Sequence, residues 1–174
     1  MRTKLALYLL IAITPLLATA QADDPNKKLD VFLGHWETQA TSSDTSLSKA
    51  GKITSSLDCR RSPQGGFLIC EQQITRDGAK SVQIAIYSYN AKKGNYAMAG
   101  MAGPGEPPWN TTVIIEGTLW TYPSKFEKDG KEIQMRTTND FSVSGTEVFK
   151  TEFSDDGGAH WTVMLQGTAH KTGS

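Results

Sequence analysis

Ser81-Val82-Gln83-Ile84-Ala85-Ile86-Tyr87-Ser88-Tyr89 is the stretch whose reading decides the fold class. Val82, Ile84 and Ile86 fall on one side of an extended chain, and Gln83, Ala85 and Tyr87 on the other. That is the period of two that marks a β-strand. Arg76-Asp77-Gly78 precedes the stretch and carries the Asp-Gly hairpin signal, and Asn90 to Gly94 turns the chain after it.

Working outward, the same grammar repeats. Trp36 to Ala40 reads as a strand, followed by a Ser/Thr-rich loop, Thr41 to Ser48. Lys52 to Cys59 and Phe67 to Ile74 flank the turn Pro63-Gln64-Gly65-Gly66. Beyond Ser81 to Tyr89 come Asn95 to Met101, a Gly/Pro-rich loop from Ala102 to Pro108, and the pair Asn110 to Glu116 and Thr118 to Phe126. A second Asp-Gly turn, Lys128 to Lys131, leads to Glu132 to Val143; Thr146 to Phe153 and His160 to His170 complete ten strands. Only Pro25 to Leu33, opened by Asp24-Pro25, has helical spacing, with Leu29, Phe32 and Leu33 on one face. Strands that never alternate with long helices exclude a parallel α/β sheet. An open meander of ten strands would leave long unpaired edges, which closure removes. The expected fold is therefore all-β: an antiparallel up-and-down barrel of about ten strands with a short N-terminal helix, ahead of a β-sandwich.

The chain begins with an address. Arg2 and Lys4 precede an apolar run from Leu5 to Leu17, and Ala18-Thr19-Ala20 and Ala20-Gln21-Ala22 are A-x-A cleavage sites. This is the pattern of a secretory signal peptide over 1–22, followed by a single barrel domain over 23–174. The run is too short to span a bilayer, where about 20 residues are needed, and an uncleaved anchor is the alternative. Export to the periplasm or the extracellular space follows. The precursor has 18 bases and 18 acids. Cleavage removes two bases and leaves a net charge of −2, without the basic excess that nucleic-acid binding requires. Cys59 and Cys70 are the two cysteines. Export and an even count favour a disulfide across the hairpin, with two buried thiols as the alternative.

Phe32-Leu33-Gly34-His35-Trp36, a short helix running into the first strand, resembles the G-x-W signature of lipocalins and other calycins. The resemblance implies that Trp36 plugs one end of the barrel and that Lys171, in the last strand, lies over it. The stretch from Lys128-Asp129-Gly130-Lys131 through Ser154-Asp155-Asp156-Gly157-Gly158 and Trp161 to Gly167-Thr168-Ala169-His170-Lys171 is similar to an uncharacterised exported bacterial family with a lipocalin-like domain. That family lends a fold rather than a reaction. Ser154-x-Asp156-x-Gly158-x-x-Trp161 also matches the Asp-box turn of sialidases, with His160 in place of threonine. A single copy reads as a structural turn.

No motif for hydrolysis, nucleotide binding or metal binding is present, so no catalytic residue and no metal ligand is nominated. His160 and His170, ten residues apart on one strand, would be about 34 Å apart. A strand count near ten is shared with nitrobindins, so a haem held by His160 or His170 is a minor alternative; no other cofactor is expected. Trp109, after the Gly/Pro-rich loop, has the position of an exposed rim residue, either touching a ligand or capping a filled barrel. With Tyr96, Met98, Trp120 and Phe149 it makes up the candidate lining for a small, largely apolar ligand. The competing readings are a non-catalytic envelope interaction module, which requires a solid core, and an enzyme.

Overall fold

The computed structural model describes residues 24–173, so the segment read as a signal peptide lies outside the described residues. A helix, Pro25–Phe32, is followed by β1 Gly34–Ser42, β2 Gly51–Arg61, β3 Leu68–Arg76, β4 Ala79–Asn90 and β5 Asn95–Met101. The remaining strands are β6 Trp109–Glu116, β7 Leu119–Lys128, β8 Lys131–Asp140, β9 Thr146–Ser154 and β10 Thr162–Gly173. Each strand pairs antiparallel with its neighbours in sequence, and β1 pairs with β10, so the sheet is a closed ten-stranded barrel. Asp77 and Asp129 adopt left-handed φ angles of 49° and 52°, and the glycine after each is also positive. These are the tight turns whose twist matches that of paired strands.

Side chains alternate inward and outward along every strand. In the stretch that decides the fold, Gln83, Ala85 and Tyr87 point into the barrel, while Val82 and Ile86 are exposed on its outer face. The more apolar side of that strand is therefore the outer one.

One end is closed by the helix, which is 3₁₀ rather than α. The three-residue spacing of its buried Leu29 and Phe32 suits three residues per turn. Asp24 caps it, accepting from the Asn26 amide at 2.9 Å. Phe32 is the hub of an aromatic cluster, with ring centroids 5.2 Å from Tyr87, 5.4 Å from Trp120 and 5.0 Å from Phe141. Trp36 is buried beside them, and its indole N–H donates to the Phe32 carbonyl at 2.9 Å. Arg61 holds the helix from β2 through the Asp30 carboxylate and the Asn26 carbonyl. Gly34 (φ 98°) makes the junction possible: a Cβ there would lie 2.4 Å from the Gly173 carbonyl oxygen. Lys171 is opposite Trp36 in the register, its side chain running beside Gly34. The end of β10 thus meets the start of β1 at the closed end.

The other end is rimmed by the loops after β1, β3, β5, β7 and β9. The last of these begins β10 at Thr162, two residues later than expected, because 155–161 are held in a turn. There Ser154 donates to Asp156 at 2.7 Å, the Gly158 amide donates to Ser154 at 2.9 Å, and the His160 amide donates to Asp156 at 3.0 Å. These bonds hold the Asp156 carboxyl well below the usual carboxylate range. Trp161 donates to the Gly158 carbonyl at 3.1 Å, and the Arg136 guanidinium lies 4.0 Å over its ring.

Cys59 and Cys70 are directly opposite in the β2–β3 ladder and form a disulfide. Their sequence separation is 11 residues. A loop of that size contributes about 2–3 kcal/mol through the unfolded state. The double variant Cys59→Ser/Cys70→Ser should lose that much in urea denaturation, and reductant should bring the wild-type protein to the same midpoint.

Candidate functional site

The barrel is hollow between the aromatic plug and the open rim. The cavity has a volume of about 510 Å³ and is walled by all ten strands, with Phe32 in its floor. That lies within the roughly 300–1,000 Å³ of pockets that enclose small molecules. A larger hollow, about 1180 Å³, lies over the outer faces of β1, β9 and β10 and presents mainly exposed side chains such as Glu37, Gln39 and Gln166.

The interior wall has two characters. Ile53, Ile74, Trp109, Phe149 and Leu165 supply apolar surface. The same β2 and β3 join β4 in an inward-facing hydrogen-bonded chain: Gln83 donates to Gln72, and Gln72 donates to Ser55 at 2.8 Å. Thr137 and Thr151 bond each other at 2.9 Å. These groups satisfy one another.

The floor is different. Tyr122 of β7, Asn139 of β8 and Glu147 of β9 are 6 %, 8 % and 7 % exposed. The Tyr122 hydroxyl and the Asn139 Oδ1 have no hydrogen-bond partner. The Tyr87 phenol approaches Tyr122 without reaching hydrogen-bond geometry, and burial raises both phenols well above their ordinary range. Burial alone pushes the Glu147 carboxyl up to about 7. Unsatisfied buried polar groups cost about 1–3 kcal/mol each, so this cluster at the base of the cavity does not stabilise the fold.

Met98, Trp109 and Phe149 are in the cavity wall. Trp109 is not an exposed loop residue. It heads β6, half-buried, and turns inward across from Gly100, where a Cβ would lie 2.7 Å from its ring. Trp120 packs instead into the aromatic plug. Tyr96 is also in the core, its hydroxyl donating to the Pro25 carbonyl at 2.7 Å, where it fastens the helix. Glu147, Tyr122 and Asn139 were not singled out from the sequence.

The histidines lie elsewhere. His35 is on the outer face, 2.7 Å from Asp58 and 2.8 Å from Glu37, which together raise its pKa. His160 is in the turn before β10 rather than in the strand, and His170 is exposed, 3.3 Å from the Thr146 hydroxyl. None of them lines the cavity, so a haem there would find no histidine to hold its iron. Among the described residues, no group of three or more His, Cys, Asp or Glu is placed to hold a metal ion.

Two solved structures share this architecture. The chain is similar to Rv2717c from M. tuberculosis, with a TM-score of 0.57 and 13 % identity over 86 % of this chain and 98 % of that one. It is also similar to the S-type phycobiliprotein lyase CPES from Guillardia theta, with a TM-score of 0.52 and 10 % identity over 85 % of this chain and 92 % of that one. Both are lipocalin-like barrels, and the likeness establishes the fold. No protein-family profile and no curated protein matches the sequence.

The buried carboxyl sets a pH dependence. Its folded-state pKa of about 7 lies above the ordinary 4.5. The group is therefore neutral in both states at low pH, and it destabilises the fold progressively as pH rises from 4.5 to about 7. The full effect is about 3 kcal/mol. Glu147→Gln should match the wild-type stability at pH 4.5 and exceed it by about that amount at pH 8, as measured by chemical denaturation at the two pH values.

Proposed function

We propose that the protein is exported and that it binds a small, largely apolar molecule inside its lipocalin-like barrel. The observation that carries this reading is the interior cavity of about 510 Å³, with Ile53, Ile74, Trp109, Phe149 and Leu165 in its wall. Apolar surface in a hollow open at one end gains free energy when a ligand displaces its water, at roughly 25 cal/mol per Å² buried. The bonded chain Ser55–Gln72–Gln83 fixes the polar side chains of β2, β3 and β4, so the cavity needs little reorganisation to be filled. Export draws support from the signal-like segment at 1–22 and from the Cys59–Cys70 disulfide, a bond suited to an oxidising compartment. No described helix is long and apolar enough to cross a membrane.

A second reading, an interaction module, draws on Val82, Ile86 and Met101, exposed on the outer face of β4 and β5. It calls for a filled barrel, and the hollow interior favours the first reading.

The test is binding of N-phenyl-1-naphthylamine, a neutral apolar probe, followed by its fluorescence. Ala85 faces the cavity and Thr112 faces solvent. Ala85→Trp should weaken probe binding at least tenfold, while Thr112→Trp should leave it unchanged. Equal binding by the two variants would remove the interior site.

A further inference from the structure

This inference rests on the reading of the barrel interior as a ligand site and concerns what the floor of that site recognises. Three polar side chains on successive strands, Tyr122, Asn139 and Glu147, line the cavity. All three are more than nine-tenths buried. Two of them hold buried oxygens with no partner in the protein, the Tyr122 hydroxyl and the Asn139 Oδ1, which a ligand reaches once those side chains turn. The third is a carboxyl with no cation beside it. The set is dominated by acceptors. A carboxylate and an amide oxygen only accept, and a phenol can accept as readily as it donates.

The complementary group is one that donates several hydrogen bonds and carries positive charge. We propose that the cavity floor seats the protonated primary amine of an amphipathic ligand, whose apolar body extends toward the rim past Phe149, Ile53 and Trp109. An ammonium has three N–H donors and no acceptor, and the Glu147 carboxylate is its acceptor in the cavity floor. Its charge compensates the Glu147 carboxylate in a place where an unpaired charge is costly. A carboxylate or phosphate head would set like charge against Glu147. Among the described residues, the only cation in the cavity wall is Arg76 of β3, which is exposed at the rim, at the far end from the floor. An anionic head would therefore be turned the other way, with its tail against the polar floor.

The charged and titratable groups around Glu147 are few. β4 contributes Tyr87 and β7 contributes Tyr122, both un-ionised at neutral pH. β8 contributes the neutral Asn139, and the cavity-facing residues of the remaining strands are uncharged apart from Arg76. Ammonium binding is thus coupled to ionisation of one group. Below pH 7, where Glu147 must lose a proton to receive the ligand, amine affinity should fall about tenfold per pH unit. Above pH 7 it should level off.

The experiment displaces bound N-phenyl-1-naphthylamine at pH 8 with octylamine, octanol and octanoate, which share one chain and differ in head group. Octylamine should displace the probe at a concentration at least tenfold lower than octanoate. Glu147→Gln should abolish most of that preference, and Asn139→Leu should reduce it in part, which keeps the test alive if one variant fails to fold. The wild-type octylamine affinity, measured from pH 5 to 8, should rise and then plateau. Octanoate binding as tightly as octylamine, or an unchanged preference in Glu147→Gln, would overturn the amine assignment while leaving the cavity reading intact. Failure of the probe itself to bind would overturn both.

Discussion

The ladder between β1 and β10 is the constraint on which the rest of the molecule depends. Without it the ten strands are a meander with two long edges; with it the inner faces of all ten enclose one volume. Enclosure alone does not make a cavity, because small barrels can be filled by their own side chains. Here the large residues are segregated. Phe32, Trp36, Trp120 and Phe141 crowd one end, and Ser55, Ser81, Ala85 and Thr151 leave the other half open. The helix matters because it brings Phe32 into the centre of that plug, and Arg61 of β2 and Tyr96 of β5 hold it there.

Much of this was legible in the residues. The Asp-Gly turns, the Asn90 to Gly94 turn and the Pro-Gln-Gly-Gly turn divide the chain at the points where the strands reverse, and β5 has the bounds read for it. Trp36, which the resemblance to the lipocalin signature implies as an end plug, is buried in the aromatic cluster, and the pairing of Cys59 with Cys70 follows from the even cysteine count across a hairpin. What periodicity does not say is which side of a strand is inside. In β4 the rule that apolar side chains face inward fails, because the interior is partly polar and the outer face carries Val82 and Ile86. Pro107 and Pro108 make Trp109 read as a rim residue, whereas the strand begins at Trp109 itself, fitted against Gly100.

Glu147 was missed for a related reason. A lone acid near a turn reads as solvated. Its signal lies two residues on, since Phe149, Thr151 and Phe153 share its face and cannot be inside unless Glu147 is too. Tyr122 with Trp120, and Asn139 with Phe141, carry the same hint. A face that mixes aromatics with one ionisable group is where local rules conflict, and such conflicts concentrate at functional sites.

The closed end also gathers both ends of the described residues. The helix that begins at Pro25 lies there, and Gly173 is paired with His35 beside it. A tag, fluorescent fusion or surface linker joined directly before Pro25 or after Gly173 therefore starts on the side opposite the opening. Joined at those points, an attached neighbour begins at the far end from the mouth of the barrel, and the interior faces bulk solution.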